Sequence, residues 1–378
     1  MFFPLRKIIS PIGLDISDLS LKFVQLSKHG NKINVQSFGK VDVPPNFIIG
    51  GEIKKEEEVV NLINKLISKP DYGTANIDET VVCLPEIKTF IKLLTINKSP
   101  NNIEDMVANE IEKHIPLSAD KIYYDWQLIK ESEDKKIVLV GVAPKYIVDQ
   151  YASLIEKTKL SLSGLEVEST AICRCLLNEE SPQYLKKYEI DYGIIDIGAK
   201  RASMIIYSKN TIATSVSIPI SGLETTTRIA KTLDITMEQA EKAKIICGMD
   251  EQKAKGIVKK ILLNVMGDLD KRINDVIDYY SKEYPSRGKI SKLILCGGGS
   301  KINDLDKYIA KSTSIETITG NPFINFNNTN NKLSEIFTET HKIDGKIIND
   351  SRVSSVKQDA SLSYATAIGL ALKNIFQN

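Results

Sequence analysis

The sequence predicts an α/β protein made of two duplicated halves, with an α+β block set into the first. Three observations predict it. The stretch PIGLDISDLSLKFVQLSKHG, centred on Asp15, is matched 181 residues later by YGIIDIGAKRASMIIYSKNT, centred on Asp196. Each has an apolar run, Asp-Ile, a small residue (Ser17 or Gly198), a polar turn, a second apolar run and then Ser-Lys. Around the two copies, short β-branched runs alternate with amphipathic helical segments, the pattern of packed α/β layers. From about residue 86 the order becomes β-α-β-β-α-β, which reads as a compact insertion.

Composition narrows the function classes. At 378 residues the chain has length for two domains. Its 42% hydrophobic and 26% charged residues are those of a globular protein, and a net charge of +2 gives no reason to expect nucleic acid. Cys83, Cys173, Cys175, Cys247 and Cys296 are scattered in or beside apolar runs and read as buried structural thiols. The three histidines lack metal-ligand spacing, and no Gly-x-Ser-x-Gly elbow occurs, so zinc and triad chemistry drop out. No apolar run reaches the roughly 20 residues a membrane helix needs. The opening MFFPLRKIIS reads as a leader packing onto the first half rather than as a signal peptide.

In chain order, strands are expected over 11–17, 20–27 and 32–38, a loop over 43–53, an amphipathic helix over 55–68 and a buried strand at TVVCLP. The insertion begins with strand IKTFIKLLTI. A helix follows, capped near Ser99 or Asn101 and stopped by Pro116. YYDWQLI and KKIVLVGVA read as paired strands, 144–160 as a helix and SLSGLEVE as a strand. Helix STAICRCLLN and a charged loop over 179–191 lead to the second hairpin. Two helices come next, the second with a Thr236–Gln239 capping box, and then a long amphipathic helix over 257–284. KLILCGGGSKINDLDKYIA reads as strand, glycine turn and helix, and 325 to about 350 as a mobile loop. The last helix, 358–376, carries Ala365, Ala367, Gly369 and Ala371, small enough for close backbone packing. The resulting division is 1–85 and 167–190 for the first half, 86–166 for the insertion, 191–350 for the second half with a helical part near 222–286, and 351–378 for a helix returning to the first half.

An aspartate ending a central strand, followed by a tight turn, exposes backbone N–H groups that can cradle phosphate oxygens. Two such turns facing across a cleft would grip a polyphosphate from both sides. Asp15 and Asp196 would then hold Mg²⁺, largely through water, since this ion dehydrates reluctantly. Gly297-Gly298-Gly299-Ser300 leaves a strand and opens a helix, so its backbone can approach an anionic ligand closely.

This arrangement resembles the actin-like ATPase superfamily, whose two phosphate hairpins match 12–26 and 193–207 and whose adenosine loop matches 296–300. VESTAI resembles the connecting stretch of the heat-shock chaperones, which makes Glu168, with Asp196, a candidate catalytic acid. EKAK resembles their adenosine-contacting Glu-x-x-Lys, with Glu241 and Lys244 on one helix face; a surface ion pair explains that spacing equally well. The order of parts narrows the resemblance to the PilM family of type IV pilus proteins, related to FtsA. It rests on IGLDISDLSLKFVQL, NEIEKHIPLSADKIYYDW, YGIIDIGAKRASMII, CGGGSKINDLDKYI and SYATAIGLALKN.

The resemblance implies an ATP- and Mg²⁺-binding cytoplasmic scaffold at the inner membrane. It would hold the N-terminal cytoplasmic peptide of PilN in a groove between first half and insertion. Pilus platform and motor proteins are the further partners implied, and a homo-oligomer is compatible. The nucleotide contacts implied are Asp15, Ser17, Lys22, Gly198, Arg201, Ser203, Glu241, Lys244, Gly297, Gly298, Gly299 and Ser300. Ser17 stands where the family usually has glycine, and Arg201-Ala202 where it has a hydroxyl pair. Binding tolerates such changes better than hydrolysis does, so slow or absent turnover is expected. An FtsA-like filament-forming ATPase is the alternative.

Overall fold

The structure, a computed structural model, describes residues 8–76, 78–97, 102–115, 117–177, 191–326, 335–342 and 355–376. Residues 1–7 of the leader, the caps expected at Ser99 or Asn101, the stop at Pro116, the charged loop up to 190 and most of the Asn-rich stretch lie outside these residues, while the end of the leader, Ile8–Ile9, pairs with the strand over Ser20–His29.

The first half contains β1 (Ile8–Ile9), β2 (Ile12–Ile16), β3 (Ser20–His29), β4 (Lys32–Asp42), β5 (Ile48–Ile49), β6 (Glu52–Ile53), α1 (Glu56–Ser68), β7 (Tyr72–Gly73) and β8 (Glu79–Leu84). Next come β9 (Phe90–Asn97), α2 (Ile103–His114), β10 (Ile122–Glu131), β11 (Lys135–Pro144), α3 (Lys145–Glu156), β12 (Ser161–Val167) and α4 (Glu168–Leu176). The second half contains β13 (Asp191–Ile197), β14 (Ala202–Ser208), β15 (Thr211–Ile218), α5 (Gly222–Leu233), α6 (Met237–Cys247), α7 (Ile257–Glu283), β16 (Ile290–Cys296), α8 (Leu305–Thr313) and β17 (Glu316–Thr319). The hairpin of β18 (Thr338–Lys342) and β19 (Ser355–Asp359) precedes α9 (Ala365–Phe376).

The duplication is present in the sheets. One runs β12-β8-β2-β3-β4-β7, and the other contains β17-β16-β13-β14-β15. In each, the aspartate-bearing strand is parallel to one neighbour (β8 or β16) and antiparallel to the next strand in sequence (β3 or β14). Between the sheets lie α4 and α9, whose Ile172, Cys175, Ala367, Ile368 and Leu372 share one core with Leu26 of the first sheet and Ile194 and Ile205 of the second.

Several expectations change. The strands of the insertion extend the second half's sheet, in the order β10-β11-β9-β15, through Lys92 opposite Thr214. The Lys92–Glu283 ion pair and a Tyr284 hydroxyl bond to Leu93 O reinforce that join. By contrast, β12 pairs in parallel with β8, and α3 buries Ile147, Tyr151 and Leu154 in the first half's core. These two elements pack with the first sheet rather than with a separate block over 86–166. The cap of α2 is Asn102, whose side chain accepts from Glu104 N. The loop over 43–53 contains the short β5–β6 hairpin, and the stretch from 325 to about 350 contains β18. The final helix starts at Ala365, after a 3₁₀ turn over Ser361–Tyr364. Along α7, Ile257 is exposed while Val258, Leu262, Val265, Leu269, Ile273 and Val276 are buried, because the stripe that faces the core begins at Val258 rather than at Ile257. The Thr236–Gln239 capping box and the burial of all five cysteines are as expected.

The small residues of α9 serve the close approach expected of them. A Cβ on Gly13 would lie 2.1 Å from Ala367 O, and one on Gly369 would lie 1.9 Å from Ala171 O. Strand β2 and helix α4 therefore touch α9 backbone to backbone. Gly369→Val and Gly13→Val should each lose about 3 kcal/mol in a denaturant titration, or fail to fold, because backbone cannot yield as a side chain can. Gly267→Ala is the contrast: it sits within α7 with nothing within 4 Å of an added Cβ, so it should gain about 0.5–1 kcal/mol.

Candidate functional site

The two hairpins close the same way. Ser17 N donates to Ser20 O at 3.1 Å, and Gly198 N donates to Arg201 O at 2.9 Å. Asp15 lies opposite Lys22 across its hairpin, and Asp196 opposite Ser203 across the other. Ser17 replaces glycine without strain, since its φ is not left-handed, and its Oγ also donates to Ser20 O at 2.9 Å. Gly198 has less room, because a Cβ there would lie 2.7 Å from Arg201 O. Both turns line one cleft of about 480 Å³, together with Glu168, Glu241, Lys244 and Gly297–Gly299. Lys200 and Arg201 are exposed on its wall, and Ser203 is buried in it.

The cleft concentrates acid. Lys22 Nζ lies 3.1 Å from Asp15 Oδ2, with both side chains largely buried. Burial alone would depress the Lys22 ammonium; the Asp15 carboxylate, with Asp196 and Glu168 behind it, outweighs burial and holds it above its ordinary value. Burial raises the Asp196 carboxyl to about 6, with Asp15 adding to the rise and Lys22 opposing it. Glu168 opens α4 and accepts from Thr366 Oγ1 at 3.3 Å. Burial, then Asp196, Asp15 and Glu86, push its carboxyl well above the usual range. Oδ2 of Asp196 takes no hydrogen bond or ion pair from any described residue, whereas both oxygens of Asp15 are engaged.

The glycine run is shaped by the second hairpin. Gly297 has φ +75°, and a Cβ there would lie 2.2 Å from Asp196 Oδ1, so glycine is required. Gly299 presses on Ile197, while Gly298 has nothing within 4 Å and faces open space. The run opens a 3₁₀ turn over Gly298–Lys301, and the α-helix starts only at Leu305, so no α-helix N-terminus stands at this wall. Ser300 is buried, donates to Gly297 O at 2.7 Å and does not line the cleft. Glu241 and Lys244 form an ion pair at 2.7 Å, but not a surface one: Lys244 is 4% exposed. Its three hydrogens go to Glu241, Thr226 Oγ1 and Gly222 O.

Sequence reasoning missed Glu86, Asp18, Thr366 and the two thiols beside the aspartates. Glu86 lines the cleft just after β8, accepts from Ser215 Oγ on the second sheet, and leaves Oε2 buried without a partner among the described residues. Burial raises its carboxyl to about 7, against the opposing Ser215 bond. Asp18 accepts from Gly50 N and Gly51 N at 2.8 and 2.9 Å, tying the β5–β6 hairpin to the first turn. An acid directly after a strand-ending Pro85 was the available signal for Glu86. Nothing in the sequence signalled its reach to Ser215, 129 residues on.

The profile of the type IV pilus assembly protein PilM family matches residues 13–375. The chain belongs to that family. Among solved structures, a PilM-PilN type IV pilus biogenesis complex matches with a TM-score of 0.74 and 18% identity, over 97% of this chain and 98% of that one. The AMPPNP-bound MreB5 of Spiroplasma citri matches at 0.52 and 12%, covering 98% and 97%. The ethanolamine utilization protein EutJ of Carboxydothermus hydrogenoformans matches at 0.51 and 11%, covering 98% and 91%. The fold is that of the actin-like ATPases. Among the described residues of this PilM-family chain, no helix is long and apolar enough to cross a membrane.

Glu86 sets a pH test of this acid cluster. Its folded-state carboxyl is raised, so the fold keeps a proton that the unfolded chain releases. The stability that proton supports is complete below the ordinary carboxyl range and is lost as pH rises toward about 7. Glu86→Gln can still accept from Ser215 and should match the parent in thermal melts near pH 4. By pH 8 it should exceed the parent, by on the order of 3 kcal/mol. Equal curves at both pH values would remove Glu86 from the cluster.

Proposed function

We propose that this chain is an ATP- and Mg²⁺-binding scaffold of the type IV pilus assembly platform. It takes the N-terminal cytoplasmic peptide of an inner-membrane PilN-type partner and turns ATP over slowly or not at all. The observation that carries the nucleotide reading is the pair of equivalent hairpins lining one cleft, with the open backbone of Gly298 beside them. Their turn amides and Lys22 suit phosphate oxygens, and the exposed Lys200 and Arg201 supply charge where the hydroxyl pair is missing. Glu241, whose side chain is 46% exposed, can still accept from a sugar hydroxyl, whereas Lys244 is spent holding α5 to α6.

The donor set suits Mg²⁺. Half-buried carboxyls with raised pKa face a cleft, and a divalent cation relieves that charge. Among the described residues no three acids, histidines or cysteines converge closely enough to hold a metal outright, which fits an ion keeping most of its water. Asp196, through its open Oδ2, would hold that ion's water, with Asp15 as the more distant acid. Bound Mg²⁺ supplies neutralisation of the phosphate charge. Burial and the neighbouring acids hold the Glu168 carboxyl well above the usual range, which favours its neutral form and makes it a poorer base toward water, in keeping with slow turnover.

The partner reading rests on family membership and on the junction between β6 and β9. There Lys88 binds Glu52 at 2.5 Å and meets the Tyr146 hydroxyl at 3.3 Å. Ile49 is paired with Glu52, and Phe90 lies two residues past Lys88. Ile49, Phe90 and Tyr146 are all exposed, a surface that an amphipathic peptide could cover. Attachment to the inner membrane then runs through the partner.

Calorimetry on Asp196→Ala and Asp15→Ala tests the site. Each should lose at least about tenfold of the Mg²⁺-supported ATP affinity while remaining folded. Normal binding by both variants would overturn the assignment. A partner-derived N-terminal peptide should bind about fivefold or more tightly with ATP·Mg²⁺ present; equal affinities would reduce the nucleotide to a structural ligand.

A further inference from the structure

We propose that Cys83 and Cys296 are a duplicated pair of positioning residues, one per half, whose thiols fix the two hairpin aspartates for a metal-bound nucleotide. The proposal rests on the nucleotide reading above and deepens it.

Each aspartate receives an S–H on Oδ1. Cys83 Sγ lies 3.8 Å from Asp15 Oδ1, and Cys296 Sγ lies 3.6 Å from Asp196 Oδ1. Both cysteines sit on the strand running parallel beside the aspartate's own. Cys296 is directly in register with Asp196, and the pairing of Leu14 with Val82 brings Cys83 to the same place beside Asp15. The thiols thus occupy equivalent positions in the two halves. Sequence spacing conceals this, because one follows its aspartate by 68 residues and the other by 100.

The chemistry suits the position. Both residues are buried, at 2% and 0% exposure. Each Sγ faces a carboxylate oxygen that can only accept, so the thiol is the donor. A thiol can pack in an apolar strand interior and still donate weakly. It also leaves the carboxylate's charge in place, which a lysine would cancel. At Asp196 the consequence is sharp: with Oδ1 held by Cys296, Oδ2 is the oxygen left without a partner among the described residues. Cys175 differs, since it donates to the Pro322 carbonyl and has no aspartate beside it among its hydrogen bonds.

The test uses the full chain as Cys83→Ala, Cys83→Ser, Cys296→Ala and Cys296→Ser. ATP affinity is measured by calorimetry with Mg²⁺ and again in EDTA. Each alanine variant should lose about tenfold in the Mg²⁺-supported affinity, the low end for a partner of a metal-side ligand, while its affinity in EDTA stays within about twofold. Serine keeps a donor and should restore binding to within about twofold of the parent. Alanine variants that bind ATP·Mg²⁺ like the parent overturn the proposal and leave the nucleotide reading standing. So do alanine and serine variants that lose affinity equally with and without Mg²⁺, which marks a packing role. A parent chain that binds no ATP·Mg²⁺ overturns the nucleotide reading and this proposal with it.

Discussion

Burying like charges together is the constraint around which this molecule is arranged. Asp15, Glu86, Glu168 and Asp196 line one cleft, and desolvation and mutual repulsion raise three of them above the ordinary carboxyl range. Lys22 pairs directly with Asp15 and only partly offsets the charge of Asp196. A fold does not keep such a cluster for stability, since apolar residues of similar volume would pack there at lower cost. The strain makes sense if a ligand that brings its own cation completes the site.

The backbone sets that cluster in place. Asp15 and Asp196 end the central strands of two sheets of equivalent order, and each turn after them is closed by the same backbone bond. Glu168 arrives at the first position of α4, and Thr366, which donates to it, arrives on α9. These two helices form the layer shared by both sheets, and α9 lies so close to α4 at Gly369 and to β2 at Gly13 that neither glycine admits a side chain. Glu86 and Ser215 join the cleft to the sheet that carries the insertion. A change of charge in the cleft would therefore bear on the helix layer and on the strand that leads to the proposed partner surface.

Much of this was legible in the sequence, for a physical reason. A hairpin is local: apolar alternation, a polar turn and an aspartate at a fixed offset all fall within about 20 residues, and finding the pattern twice fixes both copies. The Thr236–Gln239 capping box and the small-residue helix are local in the same sense. Long-range pairing was hidden. Nothing near Lys92 announces its place beside Thr214, and nothing in 145–167 shows that α3 and β12 join the first sheet. Glu241 and Lys244 were correctly placed on one face, but the burial of Lys244 depends on Thr226 and Gly222 from another helix. Ser300 was misread because a glycine run before a helix was taken to open that helix directly, whereas a 3₁₀ turn intervenes and points the hydroxyl at its own backbone. The thiols were read as core filler because burial is local in sequence and partnership with an aspartate is not.

The central claim is that two hairpins from different halves hold the same triphosphate. Hydrogen–deuterium exchange of the full chain, with and without ATP·Mg²⁺, addresses it most directly. Backbone amides over 16–20 and 197–202 should slow together, at the same nucleotide concentration, along with those over 297–299. Protection confined to one hairpin, or two hairpins protected at clearly different concentrations, would contradict a shared ligand.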